Sequence, residues 1–140
     1  MSEVYHTKRR VEFRDTDAAG IMHFSAFAVY MESVEHEFLR HVGLSVHTPD
    51  GDATISWPRV SIRCDFQSPV RFEDEFDVSI VVKKIGGRSV TYAFTFSHDG
   101  RPVATGETTA VCCRIFHQQP PKSIDIPDWF RDKIAPYLAA

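Results

Sequence analysis

The apolar residues of this chain change their spacing at one place, and that change limits the folds that the chain can adopt. Five of them recur at three- and four-residue steps: Phe27, Met31, Val34, Phe38 and Val42. This spacing is typical of one face of an amphipathic helix. Ser25 is the predicted N-cap of the helix, and Gly43 stands where a left-handed residue would end it. The pattern supports no other long helix, so the fold must be built on a single one.

Before and after this helix, apolar residues alternate with polar ones, which is the pattern of half-buried strands. Alternation predicts five strands, at residues 4–13, 59–66, 76–82, 90–96 and 103–116. Gly86 and Gly87 turn the chain between the third and fourth strands, and Asp99-Gly100 predicts a hairpin between the fourth and fifth. Residues 47–53 are predicted as a loop, because they combine polar residues with Gly and Pro.

The predicted order is strand, helix, four strands and a short C-terminal helix. One helix cannot bury its apolar face alone, and an antiparallel sheet of about five strands has an apolar face to offer. We therefore expect an α+β fold in which the sheet wraps around the long helix, in a single domain that spans residues 1–140. Gly106 is interpreted as a β-bulge in the last strand, and Pro127 as the first residue of the C-terminal helix.

Composition excludes several classes of protein. The 140 residues are 43% apolar and 25% charged, which is typical of a globular domain rather than a disordered chain. The net charge of −3 gives no basic face for nucleic acid, and no apolar run approaches the roughly 18 residues of a membrane span. Three cysteines, of which Cys112 and Cys113 are adjacent, do not make a disulfide framework. A reduced, cytoplasmic protein is expected.

Two carboxylates, Asp15 and Asp17, precede Gly20 and the start of the predicted helix. Backbone N–H groups at a helix start have no intrahelical acceptor, so they can stabilise a developing oxyanion. A carboxylate opposite them can attack a carbonyl or activate water against it, which suits acyl transfer with Asp17 as the reactive group. The residue types alone favour the simpler interpretation, in which both side chains bond their own backbone in a turn.

Residues 15–21, DTDAAGI, are followed by an aromatic position and the long helix, and they closely resemble the motif of the 4-hydroxybenzoyl-CoA thioesterase family. They are similar too to the acyl-CoA thioesterases associated with the Tol-Pal cell-envelope cluster. The likeness continues through residues 66–71, FQSPVR, and residues 87–89, GRS, and it covers roughly residues 4–134. Both groups have the hotdog fold, whose order of elements matches the predicted one. The resemblance implies an acyl-CoA thioesterase, which hydrolyses a thioester to a free acid and CoA.

The resemblance also implies roles for individual residues. Asp17 matches the catalytic carboxylate, and the backbone N–H of Phe24 matches the group that polarises the thioester carbonyl. Arg88 and Ser89 match positions that contact the CoA nucleotide, although Arg88 is equally well explained as a solvated hairpin charge. Glu32 matches an acidic residue that lies near the aromatic ring in benzoyl-specific relatives. The alternative for Glu32 is an exposed helix residue paired with a neighbour.

His23 and Phe27 are expected to line an acyl pocket beside the helix start, where aromatic walls suit an aromatic or short acyl group. The alternative for His23, which the residue type favours slightly, is a solvent-facing or structurally bonded histidine. A single hotdog domain exposes a long strand edge, so self-association is expected. The resemblance implies a homodimer, or a tetramer of two dimers, in which Arg63 of one subunit approaches Asp17 of the other. No cofactor is expected, because CoA is part of the substrate.

Other kinds of site are less well supported. A zinc site is not predicted, because His36 and His41 are five residues apart and do not share a helix face. No Gly-x-Ser-x-Gly motif is present, so Asp rather than Ser is expected to carry the acyl chemistry. Two further functions stay open: a non-catalytic module that binds acyl or aromatic ligands on the same fold, and a hydrolase of acyl carrier protein thioesters. Asp17 and Gly20 argue against the first, since binding needs neither.

Overall fold

The structure is a computed structural model of the chain, and it describes residues 2–140. Within that range the elements, in chain order, are β1 (Tyr5–Arg10), α1 (Phe24–His41), β2 (Thr48–Asp50), β3 (Ala53–Ser56), β4 (Arg59–Phe66), β5 (Glu75–Ile85), β6 (Ser89–His98), β7 (Arg101–Val111), β8 (Cys113–Ile115), β9 (Lys122–Ser123) and α2 (Asp128–Ile134). Short 3₁₀ turns at Phe13–Asp15 and Ala135–Tyr137 follow β1 and α2.

An antiparallel sheet of five strands, in the order β1-β5-β6-β7-β4, packs one face against α1. The helix buries the stripe that the sequence predicts, and alternate residues of β5 and β6 meet it: Met31, Val34 and Phe38 from α1, with Val78, Ile80, Phe94 and Phe96 from the sheet. The α+β arrangement of about five strands around one long helix is thus confirmed. Strands β1 and β4 are the two edges of this sheet.

Both ends of α1 are fixed by local hydrogen bonds. The predicted N-cap Ser25 is wrong, because the helix begins at Phe24 and its N-cap is His23. The Nδ1 atom of His23 accepts a hydrogen bond from the Ser25 N–H at 3.1 Å, so the imidazole nitrogen replaces the side-chain oxygen of a typical N-cap. Gly43 ends the helix as predicted, with φ of 84°, and Leu44 donates its N–H back into the last turn. No helix within residues 2–140 is long and apolar enough to cross a membrane.

Gly106 lies in the middle of β7 and is not a bulge, so that prediction is wrong. It pairs in register with Cys64 on one side and Phe94 on the other. A Cβ at this position would collide with the Sδ atom of Met31 and lie 3.2 Å from the Arg63 carbonyl oxygen. Glycine therefore leaves the space that the Met31 side chain of α1 occupies against the sheet.

A second, smaller sheet was not expected from the sequence. It has the order β2-β3-β8-β9, and its first two strands lie in and just after residues 47–53, which were predicted as a loop. The predicted strand 103–116 is also interrupted at Cys112, where the backbone leaves β7 and passes into β8. The N–H of Cys112 donates to the Arg88 carbonyl oxygen at 2.7 Å, and this bond ties the two sheets together.

Two boundaries differ from the predicted ones by a few residues. Strand β1 ends at Arg10 rather than at residue 13, because Phe13–Asp15 forms a 3₁₀ turn that leads into the loop before α1. Pro127 is the N-cap of α2 rather than its first residue, with an extended ψ of 144°. Its ring lacks an N–H, and a helix N-terminus leaves such a donor without an intrahelical partner in any case.

Candidate active site

The loop that carries Asp17 closes on itself before α1 begins. The Asp17 N–H donates to the Ile21 carbonyl oxygen, and the Gly20 N–H donates to the Asp17 carbonyl oxygen, both at 2.9 Å. Gly20 has φ of 79°, a conformation that favours glycine. The Asp17 Oδ1 atom accepts from the Ala19 N–H at 2.8 Å. The turn-forming interpretation of Asp17 is therefore correct for one carboxylate oxygen, and Oδ2 has no hydrogen-bond donor among residues 2–140.

Asp15 has a different role from Asp17, because it makes more hydrogen bonds to the surrounding scaffold. Its Oδ2 atom accepts from the Glu12 N–H at 2.9 Å and from the Tyr30 hydroxyl. Its carbonyl oxygen accepts from the His23 N–H at 2.7 Å. Burial and the Asp15 hydrogen bond both raise the pKa of Tyr30, so this hydroxyl stays protonated and holds the loop on α1. Asp15 thus positions the loop through bonds to Glu12 and Tyr30, whereas the Asp17 side chain bonds only within its own turn.

The first turn of α1 offers one free backbone donor. The N–H of Ser25 bonds to His23 Nδ1, and the N–H of Ala26 bonds to the His23 carbonyl oxygen at 3.0 Å. The N–H of Phe24 has no acceptor among residues 2–140. This donor lies at the positive end of the helix dipole, where an oxyanion is stabilised.

A cavity of about 350 Å³ is bordered both by Asp17 and by Phe24, the residue with the free N–H. Its walls come from the Asp17 loop, the start of α1 and the segment after β4, and they include Asp17, Met22, Phe24, Phe27, Phe66 and Ser68. Phe27 is buried and packs edge-to-face on Phe66, with ring centroids 5.0 Å apart. Mostly apolar walls strengthen the electrostatic effect of the carboxylate and the N–H on a bound carbonyl group. The arrangement is suited to acyl transfer.

Two of the other predicted residues lie beside this cavity rather than in it. His23 caps the helix, stacks on Phe24 at 4.5 Å, and lines a separate groove with Arg10 and Tyr30. Glu32 lies exposed on α1 and borders a second cavity, between the middle of the helix and β4. Neither side chain lines the cavity that holds Asp17 in this chain.

The remaining predicted residues lie on β4 and at the far end of the sheet. Arg63 is exposed, and its Nε atom pairs with Asp65 at 3.1 Å. Arg88 pairs with Asp125 at 3.0 Å, and Ser89 begins β6 opposite Val111. The Asp17 cavity is at the other end of β7, where residue 104 pairs with residue 66. Seven residues of strand separate the two ends, or about 23 Å, so one chain does not bring Arg88 to Asp17.

Sequence reasoning missed Glu35, whose carboxylate is buried in the middle of α1. Its side chain is in a residue only 1% exposed, and its Oε2 atom accepts from Arg59 Nη2 at 2.9 Å. Burial raises the pKa of Glu35 to about 7, while the Arg59 charge opposes that shift. The Oε1 atom has no hydrogen-bond partner among residues 2–140. The sequence signal was its spacing, because Glu35 follows Met31 by four residues and so belongs to the buried stripe.

Metal binding has no support from the side-chain arrangement. Among residues 2–140, no group of three or more His, Cys, Asp or Glu side chains is close enough to hold a metal ion. The three cysteines are free thiols, and burial raises the pKa of Cys64 and Cys112 to about 11. They are therefore protonated and poorly nucleophilic at neutral pH, which leaves Asp17 as the candidate reactive group.

Comparison with known proteins agrees with this chemistry. Residues 11–134 match the family described as the Thioesterase-like superfamily. A 1,4-dihydroxy-2-naphthoyl-CoA hydrolase of Synechococcus elongatus is 24% identical over 129 residues, which make up 91% of this chain and 95% of that protein. The crystal structure of a 1,4-dihydroxy-2-naphthoyl-CoA thioesterase from Synechocystis has a TM-score of 0.82 at 20% identity, over 95% of this chain and 96% of that one. A gentisyl-coenzyme A thioesterase structure is 28% identical with a TM-score of 0.77, over 94% of this chain and 99% of that one.

Proposed function

We propose that this chain, which belongs to the thioesterase-like superfamily and has the hotdog fold, is an acyl-CoA thioesterase that hydrolyses a thioester to a free acid and CoA. The observation that carries the proposal is that Asp17 and Phe24 border the same cavity. Within residues 2–140, Asp17 has a carboxylate oxygen without a hydrogen-bond donor, and Phe24 has a backbone N–H without an acceptor. The relatives named above hydrolyse aromatic CoA thioesters according to their names, which supports the same reaction here.

In the proposed reaction, the thioester carbonyl oxygen accepts a hydrogen bond from the Phe24 N–H, and the helix dipole adds to the polarisation. The Asp17 carboxylate either attacks the carbonyl carbon or removes a proton from an attacking water. Both routes break the C–S bond, add the elements of water and release the acid and the CoA thiol. A thiol has a reference pKa near 8.5, so CoA leaves without strong acid assistance. This explains why one carboxylate and one oxyanion donor suffice.

We also propose that the working enzyme is a homodimer, or a tetramer built from two dimers. The edge strand β4 exposes apolar side chains, with Val60 at 62% and Ile62 at 58%, and such an edge favours pairing with another strand. Antiparallel pairing of two β4 strands sets the Arg59 end of one opposite the Phe66 end of the other. That pairing carries the Arg88 end of one subunit toward the Asp17 end of its partner, and Arg63 lies on the same edge.

The CoA nucleotide is assigned to Arg88 and Ser89 on this basis, and the acyl group to the cavity beside Phe24 and Phe27. Aromatic walls suit an aromatic or short acyl group, and the substrates named for the relatives are aromatic. Three free thiols fit the reducing cytoplasm, where we place the reaction.

The experiment that tests the function is CoA release, measured with a thiol reagent over benzoyl-, naphthoyl-, butyryl- and palmitoyl-CoA. We expect turnover, with aromatic and short esters ahead of palmitoyl-CoA. A second series carries the same acyl groups on an acyl carrier protein. Faster hydrolysis of these thioesters than of the CoA esters would identify the acyl carrier protein as the carrier. Binding of the esters without any release would instead establish the non-catalytic module.

A further inference from the structure

A second cavity, of about 360 Å³, lies between the middle of α1 and the edge strand β4. Its walls include Ala28, Glu32 and Glu35 from the helix and Val60 and Ile62 from the strand. It is separate from the cavity that holds Asp17, and the proposed hydrolysis does not use it. Its lining is mostly apolar, apart from a few polar groups, which is the character of a small-molecule site.

Two residues that line this cavity each hold a buried polar atom that has no hydrogen-bond partner among residues 2–140. The two atoms are Oε1 of Glu35, in a residue 1% exposed, and Oγ1 of Thr108, in a residue 8% exposed. Buried polar groups in native proteins are almost always hydrogen-bonded, and leaving them unpaired costs free energy. A carboxylate oxygen and a hydroxyl, in two side chains that border the same space, are complementary to a ligand that carries a hydroxyl group.

The second cavity continues the line of the first. Phe24, Ala28, Glu32 and Glu35 follow one another at steps of four, four and three residues, so they share one face of α1. On the sheet side, β4 runs past the same face, from Phe66 at the Asp17 cavity to the second cavity. An acyl group whose carbonyl lies at the Phe24 N–H and that extends along this face points toward the second cavity.

The length of this path limits the acyl group. Eleven residues of helix separate Phe24 from Glu35, or about 16 Å along the axis. Helical side chains lean toward the N-terminus by roughly one turn, which brings the Glu35 carboxylate to about 11 Å from the Phe24 end. The para-hydroxyl of a single benzene ring is too near its carbonyl to reach Glu35. A hydroxyl at the far corner of a fused two-ring system, or at the end of a decanoyl chain, spans the path.

We propose that the second cavity is the distal end of the acyl site, and that Glu35 and Thr108 select acyl groups that carry a hydroxyl at their far end. The proposal rests on the thioesterase function proposed above. Glu35 accepts the hydrogen bond of this hydroxyl through Oε1, and Thr108 donates its own proton to the hydroxyl oxygen. Arg59 holds the other Glu35 oxygen in place at 2.9 Å. These residues are assigned to specificity and take no part in the bond-breaking step.

The test compares matched pairs of esters with and without the distal hydroxyl: 6-hydroxy-2-naphthoyl-CoA against 2-naphthoyl-CoA, and 10-hydroxydecanoyl-CoA against decanoyl-CoA. For at least one pair, we expect kcat/KM to favour the hydroxylated ester by about tenfold or more, because the analogue leaves two buried groups unpaired. 4-Hydroxybenzoyl-CoA should gain little over benzoyl-CoA. Equal kcat/KM values within both the naphthoyl pair and the decanoyl pair would overturn the proposal. The cavity would then be filled by an apolar acyl group or by a second copy of the chain.

Three variants locate the effect. Thr108→Val and Glu35→Gln should each reduce the hydroxyl preference at least fivefold, as a ratio of kcat/KM values. The matched control is Thr109→Val, since Thr109 lies next in β7 on the opposite face and bonds to Thr91 at 2.8 Å. It should keep the wild-type ratio. A ratio that stays unchanged in Thr108→Val contradicts the proposal even if Glu35→Gln does not fold.

Failure of this proposal is distinguishable from failure of the proposed function. If no ester of the panel releases CoA, the thioesterase function is wrong. The free acids then test the subsite without turnover, because a bound ligand raises Tm. We expect 6-hydroxy-2-naphthoic acid to raise the Tm more than 2-naphthoic acid does, and Thr108→Val to remove the difference. Equal Tm shifts for the two acids would overturn the subsite directly.

Discussion

Two carboxylates, one just before helix α1 and one in its middle, differ in burial and in hydrogen bonding. Asp17, in the loop before the helix, is half-buried, and its side chain bonds only to the Ala19 N–H two residues away. Glu35, in the middle of the helix, is buried and accepts a hydrogen bond from Arg59 of strand β4. A reactive carboxylate must be accessible to the substrate and have an unused lone pair. A carboxylate that discriminates between substrates must instead be one whose unpaired state costs free energy. The fold places the first at the helix end and the second under the sheet edge.

The largest effect that separates the two sites is expected from Asp17→Asn. Asn keeps the turn bond to Ala19 but is neither a good nucleophile nor a base, so kcat should fall by about 10²- to 10⁴-fold. CoA release under saturating ester measures the loss, and circular dichroism checks that the fold is intact. Asp15→Asn is the matched control, and its loss should be much smaller because Asp15 only positions the loop. If Asp17→Asn retained most of its kcat, the proposed role of Asp17 would be wrong.

The second effect is the pH dependence of stability that burial of Glu35 produces. Its pKa is raised from 4.5 to about 7 in the folded chain, with burial as the main cause, Arg59 opposing it and Glu32 adding to it. The folded state therefore keeps the proton over a range where the unfolded state has lost it. The contribution of Glu35 to the free energy of unfolding is fully present below pH 4.5 and is lost as the pH rises through about 7. The total loss is about 3 kcal/mol.

Urea unfolding of the wild type and of Glu35→Gln, at pH 5 and pH 8, measures this contribution. Gln does not titrate, so the difference between the two proteins removes the effect of every other carboxylate. We expect the free energy of unfolding of the wild type, relative to the variant, to fall between pH 5 and pH 8. A difference that stays constant, or that rises, would show that Glu35 titrates normally.

The sequence predicts the Asp17 end of α1 better than the Glu35 region, and the reason is physical. The Asp17 loop is local: its turn bonds, Gly20 and the free helix N–H all lie within eight residues. The environment of Glu35 depends on Arg59 and Thr108, which reach it from β4 and β7. The sequence analysis did not include Glu35 in the buried stripe, and no local pattern shows which cation pairs with it.

The same distinction between local and long-range interactions explains the errors in the fold. The end of α1 at Gly43 was predicted correctly, because the left-handed conformation there is a property of the residue itself. The bulge predicted at Gly106 is wrong, because the crowding at this position comes from Met31, which is 75 positions earlier in the chain. Strands β2 and β3 were missed, since each has only three or four residues and their order depends on pairing with β8.

The third effect is on the Glu35–Arg59 pair itself. Arg59→Leu removes the donor to Glu35 Oε2 and leaves a buried carboxylate without a partner, which should lower the free energy of unfolding by about 1–3 kcal/mol. The double variant Arg59→Leu with Glu35→Leu should recover most of the loss, because no buried charge remains. Arg63→Leu on the same strand is the control. Its ion pair with Asp65 is exposed, so its removal should change stability by less than about 0.5 kcal/mol.

The smallest effect concerns Arg88, which is far from both carboxylates within one chain. The contact proposed for it with the CoA nucleotide is remote from the reacting carbonyl, so it is expected to stabilise the ground state and the transition state alike. Arg88→Ala should raise KM for acyl-CoA about fivefold, the size expected of an exposed charge pair, with little change in kcat. A pantetheine thioester, which lacks the nucleotide, should show no change. Equal losses on both substrates would remove Arg88 from the CoA site.

Mixed dimers test whether Asp17 and Arg88 of one active site come from the same subunit or from two. One subunit carries Asp17→Asn and the other carries Arg88→Ala, with different tags so that only the mixed dimer is purified. If each site takes Asp17 from one subunit and Arg88 from the other, one site contains both changes and the second contains neither. The mixed dimer then keeps about half of the wild-type kcat, with the wild-type KM. If both residues of a site come from the same chain, the only active site has lost Arg88, and the KM of the mixed dimer rises as in Arg88→Ala.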